Sequence, residues 1–548
     1  MLYIPTLFLS LFITITLIPI FRTLAMKAKV VDIPNERKVH SKPTPKVGGI
    51  AFAFGALIPI LFLGDFFLID RFTWAVMIGA WIIVLFGFVD DIKDLGYRTK
   101  FIGQLIAALI VIFYGDLTIT NMGNLLPGSF QLPGFIAAPL TLITIIGVTN
   151  AINLADGLDG LAGGISLLSF LCIGFLAYIS DLPSVAILSA AMIGGLFGFL
   201  RFNTFPANIF MGDAGSQLIG FLAITLSLKL TQGNTPLSPV LPLMLLGFPV
   251  WDTLVVMTER KLRGKSMFVA DKNHFHHKLM RLGLYHTESV FVIYVIQAVL
   301  VTFAFMFRYY SEWLLLGFYL LFSGIVFAGV LLANKKGYQL IRPGRFDLII
   351  KNNLKKLKID NVLIKCSFGL IEMVLPVLIV SCVFIPLDIP RYISVAALIF
   401  VILIGCSIYF LNNWAGSILR LSLYLMIPYL IYIGETEPSS WVTGQVTGYI
   451  NIAFAVLAFF VVLTIKYTRR VKGFKASPMD FIILFAALVI PNLPDARIAD
   501  YNLGIVAIKI IVLFFSFEVW ICELRGKLTK VKFTGTAALV TLAARGLF

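Results

Sequence analysis

Five polar stretches interrupt an otherwise apolar chain, and their side chains are of the kinds that handle phosphate. Residues 30–52 (VVDIPNERKVHSKPTPKVGGIAF) form a proline-shaped loop that enters a helix at Gly48-Gly49. Its Arg37, Lys38, His40, Lys42 and Lys46 suit a phosphate or anionic lipid headgroups, or serve only to orient the flanking helices. In the second stretch, Asp90 and Asp91 end an apolar run and Lys100 opens the next. Adjacent carboxylates at an apolar boundary repel and lose solvation, so they need a nearby cation or metal. The third, NAINLADGLDGLAGG (150–164), spaces Asn150, Asn153, Asp156 and Asp159 by threes, which in a helical turn puts them on one face. The fourth contains NIFMGDAGS, where Asp213 either caps the next helix ahead of Ser216 or holds a hard cation such as Mg²⁺ through oxygen. Phe210, three residues earlier, offers a face on which a base can stack. The fifth holds His274, His276 and His277 beside Arg260, Lys261, Arg263, Lys265 and Lys272. No Cys or spaced carboxylate completes a zinc site there, so phosphate binding or proton transfer fits better.

The elements that must position these loops are membrane helices. The chain has 548 residues, 59% hydrophobic and 13% charged, with mean hydropathy +0.95. That excludes an ordinary soluble domain, a disordered chain and a disulfide scaffold, and predicts an all-α polytopic integral membrane protein. About 17 spans are expected, 11 in the first part and about 6 in the last: 3–22, 48–64, 72–89, 101–114, 134–150, 161–180, 184–200, 216–230, 238–257, 288–307, 312–333, 367–386, 391–411, 415–433, 445–466, 479–493 and 502–522. The first lacks a charged n-region and a cleavage site, so it reads as a retained helix. Arg22, Lys27 and Lys29 follow it, which places the N-terminus outside. Loop alternation then puts every Lys and Arg inside except Arg71, Lys229, Arg308, Arg391, Arg497 and the intraspan Lys509, with a cytoplasmic C-terminus. The net charge of +16 reflects this bias, not nucleic-acid binding. Five cysteines without CxxC spacing (Cys172, Cys366, Cys382, Cys406, Cys522) read as small core hydrophobes.

All five polar loops fall on the inner side at helix ends. A transporter would keep its ionisable groups near mid-span; this arrangement suits an enzyme joining a water-soluble substrate to a lipid. In DIPNERKVHSKPTPKVGG, VDDIKD, NAINLADGLDGLAGG, NIFMGDAGS and HFHH, in that order over residues 1–333, the sequence resembles the polyprenyl-phosphate N-acetylhexosamine-1-phosphate transferases of glycosyltransferase family 4. The first motif and the His-x-His-His form are most similar to the undecaprenyl-phosphate GlcNAc-1-phosphate transferase branch.

The resemblance implies a Mg²⁺-dependent (Mn²⁺ as an alternative) transfer from a UDP-N-acetylhexosamine to undecaprenyl phosphate. UMP is released and a glycan of O-antigen, common-antigen or teichoic-acid type begins. It implies a bacterial inner-membrane location, a cytoplasmic-facing site, and leaves a homodimer open. It implies that Asp213, with Asn153, holds the metal; that Asp90 and Asp91 orient or deprotonate the lipid phosphate; that Asp156 and Asp159 meet the nucleoside, with Phe210 stacked on the base; and that His274, His276 and His277 hold the diphosphate or sugar. Lys100 and Lys46 are further phosphate contacts.

The family pattern ends near the eleventh span. Residues 334–365 form a basic linker that either lies on the surface as an amphipathic helix or is simply solvated. Residues 366–548 add a membrane region without comparable motifs, in which Glu372, Lys509 and Glu518 pair between helices or line a path. A lipid-linked-sugar flippase on a vestigial transferase fold is the rival that mid-span charge there would favour.

Overall fold

The computed structural model describes residues 3–28, 30–32, 43–62, 70–93, 97–127, 130–233, 235–264, 273–339, 362–410, 415–467, 503–523 and 529–547. They fall into two units, one within Met1–Ile341 and one within Arg342–Phe548. The expected span 479–493, most of the 334–365 linker, and Arg37, Lys38, His40, Lys42, Lys265 and Lys272 lie outside the described residues.

The first unit comprises α1 (Tyr3–Lys27), a short antiparallel pairing of β1 (Val31–Asp32) with β2 (Thr44–Pro45), then α2 (Gly48–Phe62), α3 (Arg71–Lys93), α4 (Tyr97–Leu109), α5 (Gly134–Ala155), α6 (Leu161–Ile179), α7 (Pro183–Asn203), α8 (Gly212–Thr231), α9 (Leu241–Leu245), α10 (Gly247–Leu262), α11 (Phe275–Arg281), α12 (His286–Met306) and α13 (Glu312–Lys335). Among the described residues of the whole chain, ten helices are long and apolar enough to cross a membrane, and four shorter apolar helices accompany them. The expected span 238–257 is instead two helices, α9 and α10, which meet at Leu246.

Helix α8 is the axis of this unit. It packs against α2, α3, α5, α6 and α7, and 94% of its apolar window is enclosed. Small residues permit that closeness, as they do where membrane helices pack without a hydrophobic driving force between them. A Cβ on Gly87 of α3 would stand 2.5 Å from Ala214 Cα, and one on Gly220 would stand 2.7 Å from Thr149 Cα of α5. On α2, Gly48 N–H donates to Phe210 O (2.9 Å) and Gly49 N–H to Met211 O (2.8 Å), while Phe210 N–H donates to Pro45 O (2.8 Å). The first polar loop is thereby bonded, backbone to backbone, to the fourth.

The second unit comprises α14 (Val362–Phe384), α15 (Arg391–Phe410), α16 (Ala415–Thr436), α17 (Gly444–Tyr467), α18 (Leu503–Glu523) and α19 (Thr529–Leu547). Leu375, Leu419, Leu457, Phe517 and Trp520 are among its core side chains. Lys509 pairs with Glu435, and Lys530 with Glu372 at 2.8 Å. Glu435 is the penultimate residue of α16, whereas Lys509 lies two turns into α18.

Helix α19 lies beyond the last expected span, 502–522. Lys530 reaches Glu372, and Arg545 donates to Val383 O (2.5 Å) and Pro386 O (3.1 Å) at the far end of α14. The helix thus runs alongside α14 and ends opposite Val362. Its apolar stripe is narrow (Val531, Ala538, Leu539, Leu542, Ala543) among Thr, Gly and Lys, so hydropathy alone hid it. Cys366 and Cys406 are also exposed on helix surfaces, whereas Cys172 and Cys382 are buried as expected.

The α2–α8 contact gives a test. A Cβ at Gly49 would lie 2.3 Å from Gly215 N and 2.4 Å from Met211 O, both backbone atoms that cannot rotate away. Gly49→Ala should destabilise the protein by about 1–3 kcal/mol, the usual cost of overpacking. Thermal unfolding in detergent measures this, and an unchanged midpoint would refute the close approach.

Candidate active site

The second, third, fourth and fifth loops and β1–β2 meet at one end of the first unit around a cavity of about 630 Å³. That is the usual size of a small-molecule site. Its lining includes Asp32, Lys46, Asp91, Asn153, Asp156, Asp159, Phe210, Asp213 and His277.

Lys100 Nζ lies 2.7 Å from Asp90 Oδ2 and 2.5 Å from Oδ2 of the cavity-lining Asp213. Asp90 is 5% exposed, and its Oδ1 has no hydrogen-bond partner. Asp91 does something different. Its Oδ1 accepts from Asp213 N–H (2.9 Å) and its Oδ2 from Ala214 N–H (3.2 Å), so it caps α8 and meets the positive end of that helix's dipole. The cap of α8 is therefore Asp91 and not Asp213, whose carboxylate instead meets Lys100. Gly212 has φ +69°, and a Cβ there would lie 2.5 Å from both the Asp91 carboxylate and the Lys46 carbonyl, so the turn admits only glycine.

The third loop is held by the fourth. Asn203 Oδ1 accepts from Gly160 N–H (2.9 Å), and Asn203 Nδ2 donates to Ile209 O (2.9 Å). Asp159 Oδ2 accepts from Ala207 N–H (2.9 Å), so one of its oxygens pins a loop. His286 Nε2 accepts from Asp159 N–H (3.1 Å), and its ring stacks on Phe205 with centroids 4.4 Å apart. Asn153 Oδ1 accepts from Ser216 Oγ (2.8 Å). Asn150 faces away from this cluster, bonded to Gln104. Lys46 lies 3.2 Å from Asp32.

The histidines form a stack: His274 and His276 are nearly parallel with centroids 6.0 Å apart, and His277 follows at 4.2 Å from His276. Burial, then the neighbouring His277, His274 and His286, hold His276 well below the ordinary imidazole range, so it is neutral near pH 7. Of the three, His277 lines the cavity.

Negative charge dominates the cavity. Lost solvation, then the nearby Asp213, Asp159 and Asp91, push the Asp156 carboxyl up to about 7. Oxygen donors with excess negative charge fit a hard cation. Among the described residues no three His, Cys, Asp or Glu side chains form a metal-ligand cluster.

Residues 73–231 match the model of glycosyl transferase family 4. The chain is 37% identical over 323 residues to a probable undecaprenyl-phosphate N-acetylglucosaminyl 1-phosphate transferase of Bacillus subtilis (strain 168), covering 59% of this chain and 89% of that protein. It is 32% identical over 329 residues to the undecaprenyl-phosphate alpha-N-acetylglucosaminyl 1-phosphate transferase of Escherichia coli O157:H7 (57% and 87%), and 32% identical over 309 residues to that of Yersinia pestis (55% and 84%). The chain belongs to glycosyl transferase family 4. It is a phosphotransferase with a multi-pass membrane fold.

Sequence reading overlooked Asp252, Asn203, Phe205 and His286 in this family site. Asp252 lay within an expected span, where a lone carboxylate is itself a signal. The others gave no signal, because the bonds that tie them to the third loop or to α12 span more than forty positions.

The raised Asp156 carboxyl fixes a pH dependence. Between its ordinary value of 3.8 and about 7 the folded chain keeps a proton that the unfolded chain has released, so stability falls as pH rises across that window and levels off above it. Scanning fluorimetry from pH 4 to 8 should show the decline, and Asp156→Asn should make it shallower. An equal slope in the variant would contradict the assignment.

Proposed function

We propose that this chain transfers GlcNAc-1-phosphate, or that of a related N-acetylhexosamine, from a UDP-sugar to undecaprenyl phosphate on the cytoplasmic face of a bacterial inner membrane. A lipid phosphate oxygen attacks the β-phosphorus, the bond to UMP breaks, and the product begins a lipid-linked surface glycan of O-antigen, common-antigen or teichoic-acid type. One observation carries the reading: an acid-rich cavity at membrane-helix ends, with Lys100 on its Asp213 and Phe210 on its wall, in a chain whose relatives are named for this reaction.

Asp213 and Asn153 would hold Mg²⁺ or Mn²⁺, which when bound neutralises charge on the diphosphate. Phosphoryl transfer depends on positioning and charge neutralisation more than on covalent help. A phosphate monoester is largely dianionic near neutral pH, with a second pKa of about 6, so the acceptor needs little general base. Asp91, with both oxygens committed to α8, acts by fixing Asp213. Lys100 keeps Asp90 and Asp213 together. Phe210 and the loop pinned by Asp159 bind the nucleoside, and the histidine stack bounds the side facing the sugar phosphate.

Purified full-length protein with undecaprenyl phosphate, UDP-GlcNAc and Mg²⁺ should release UMP. Asp213→Ala should lower the turnover by about a hundredfold or more, as loss of a main electrostatic group does, with its unfolding midpoint retained. Wild-type turnover in that variant would remove Asp213 from the centre, and a panel of UDP-sugars would identify the donor.

A further inference from the structure

Asp252 is 3% exposed on α10, outside the cavity, and a carboxylate in such a place must be paid for by its partners. It has two. Asp252 Oδ2 lies 2.9 Å from His274 Nδ1, and Asp252 Oδ1 accepts from Phe275 N–H at 2.8 Å. This one side chain therefore fixes both the imidazole of His274 and the start of α11. From there the order passes along the stack to His276, whose ring abuts the third loop so closely that a Cβ on Gly157 would lie 2.5 Å from it. His277 beyond it lines the cavity.

We propose that Asp252 is a positioning residue of the transfer reaction, acting through His274 on the histidine cluster; this rests on the function proposed above. The chemistry separates this role from mere packing. A carboxylate accepts only, so His274 carries its proton on Nδ1 and, when neutral, leaves Nε2 as an acceptor. An asparagine of the same shape keeps both bonds but donates to Nδ1, which moves the ring proton to Nε2. Asp252→Asn thus preserves the scaffold while inverting the polarity of His274.

The test measures kcat and KM for UDP-GlcNAc and undecaprenyl phosphate in full-length wild type, Asp252→Asn, His274→Gln and the double variant. Asp252→Asn should lose about tenfold to a hundredfold in kcat, the usual cost of losing a group that orients a histidine ligand, with KM within about twofold. The double variant should lose no more than His274→Gln alone. Wild-type kcat in Asp252→Asn, or losses that multiply in the double variant, would overturn the proposal. ¹⁵N NMR of histidine-labelled wild type gives a readout independent of activity and of any variant's folding. His274 should be protonated at Nδ1, and an unprotonated Nδ1 overturns the proposal. If wild type releases no UMP, the transferase reading fails while the NMR result still judges the Asp252–His274 pair.

Discussion

The contact on which the rest depends is the ammonium of Lys100 between Asp90 and Asp213. Two like charges about 4 Å apart interact by roughly 4 kcal/mol at an effective dielectric of about 20. An exposed ion pair contributes only about 0–1 kcal/mol, so repulsion of this size at an apolar boundary has to be met inside the site. Lys100 meets it, and it brings α3, α4 and α8 to one point. Charge is still left over. Asp32, Asp91, Asp156, Asp159 and Asp213 line the cavity with Lys46 as the one lysine among its lining residues. In the proposed reaction a divalent cation would offset that surplus and let two anionic substrates approach.

Close helix packing makes the contact reachable. Gly87 of α3 lies against Ala214 of α8, and Asp91, one turn later near the end of α3, bonds the start of α8. Gly49 and Gly215 bring α2 equally near. The backbone bonds from Gly48, Gly49 and Phe210 then join the first loop to the fourth. Asn203 and Asp159 join the third to the fourth, and Asp252 secures the fifth. The polar loops are thus a connected rim on a rigid axis and not separate appendages.

Much of this was legible in the chain. Apolar runs located the helices, because a lipid-facing backbone must satisfy itself. Asp91, Asn153, Asp156, Asp159 and Asp213, singled out by type and spacing, line one cavity. What was not legible depends on distance in sequence. Asp213 looks equally suited to capping or to a cation until the bonds from Asp213 N–H and Ala214 N–H assign the cap to Asp91. The two carboxylate partners of Lys100 lie 10 and 113 positions away and are not visible in its local spacing. Helix α19 was missed because hydropathy averages over all faces, whereas a narrow stripe suffices when Arg545 ends on backbone carbonyls. The break at Leu246 was missed because its flanks are as apolar as a continuous span.

Manganese EPR of the purified protein with UDP-GlcNAc tests the central claim most directly. Wild type should bind one Mn²⁺ per chain, Asp213→Asn should weaken that binding by about tenfold or more, and Asp159→Asn should leave it intact. Mn²⁺ binding to Asp213→Asn as tight as to wild type would contradict the account.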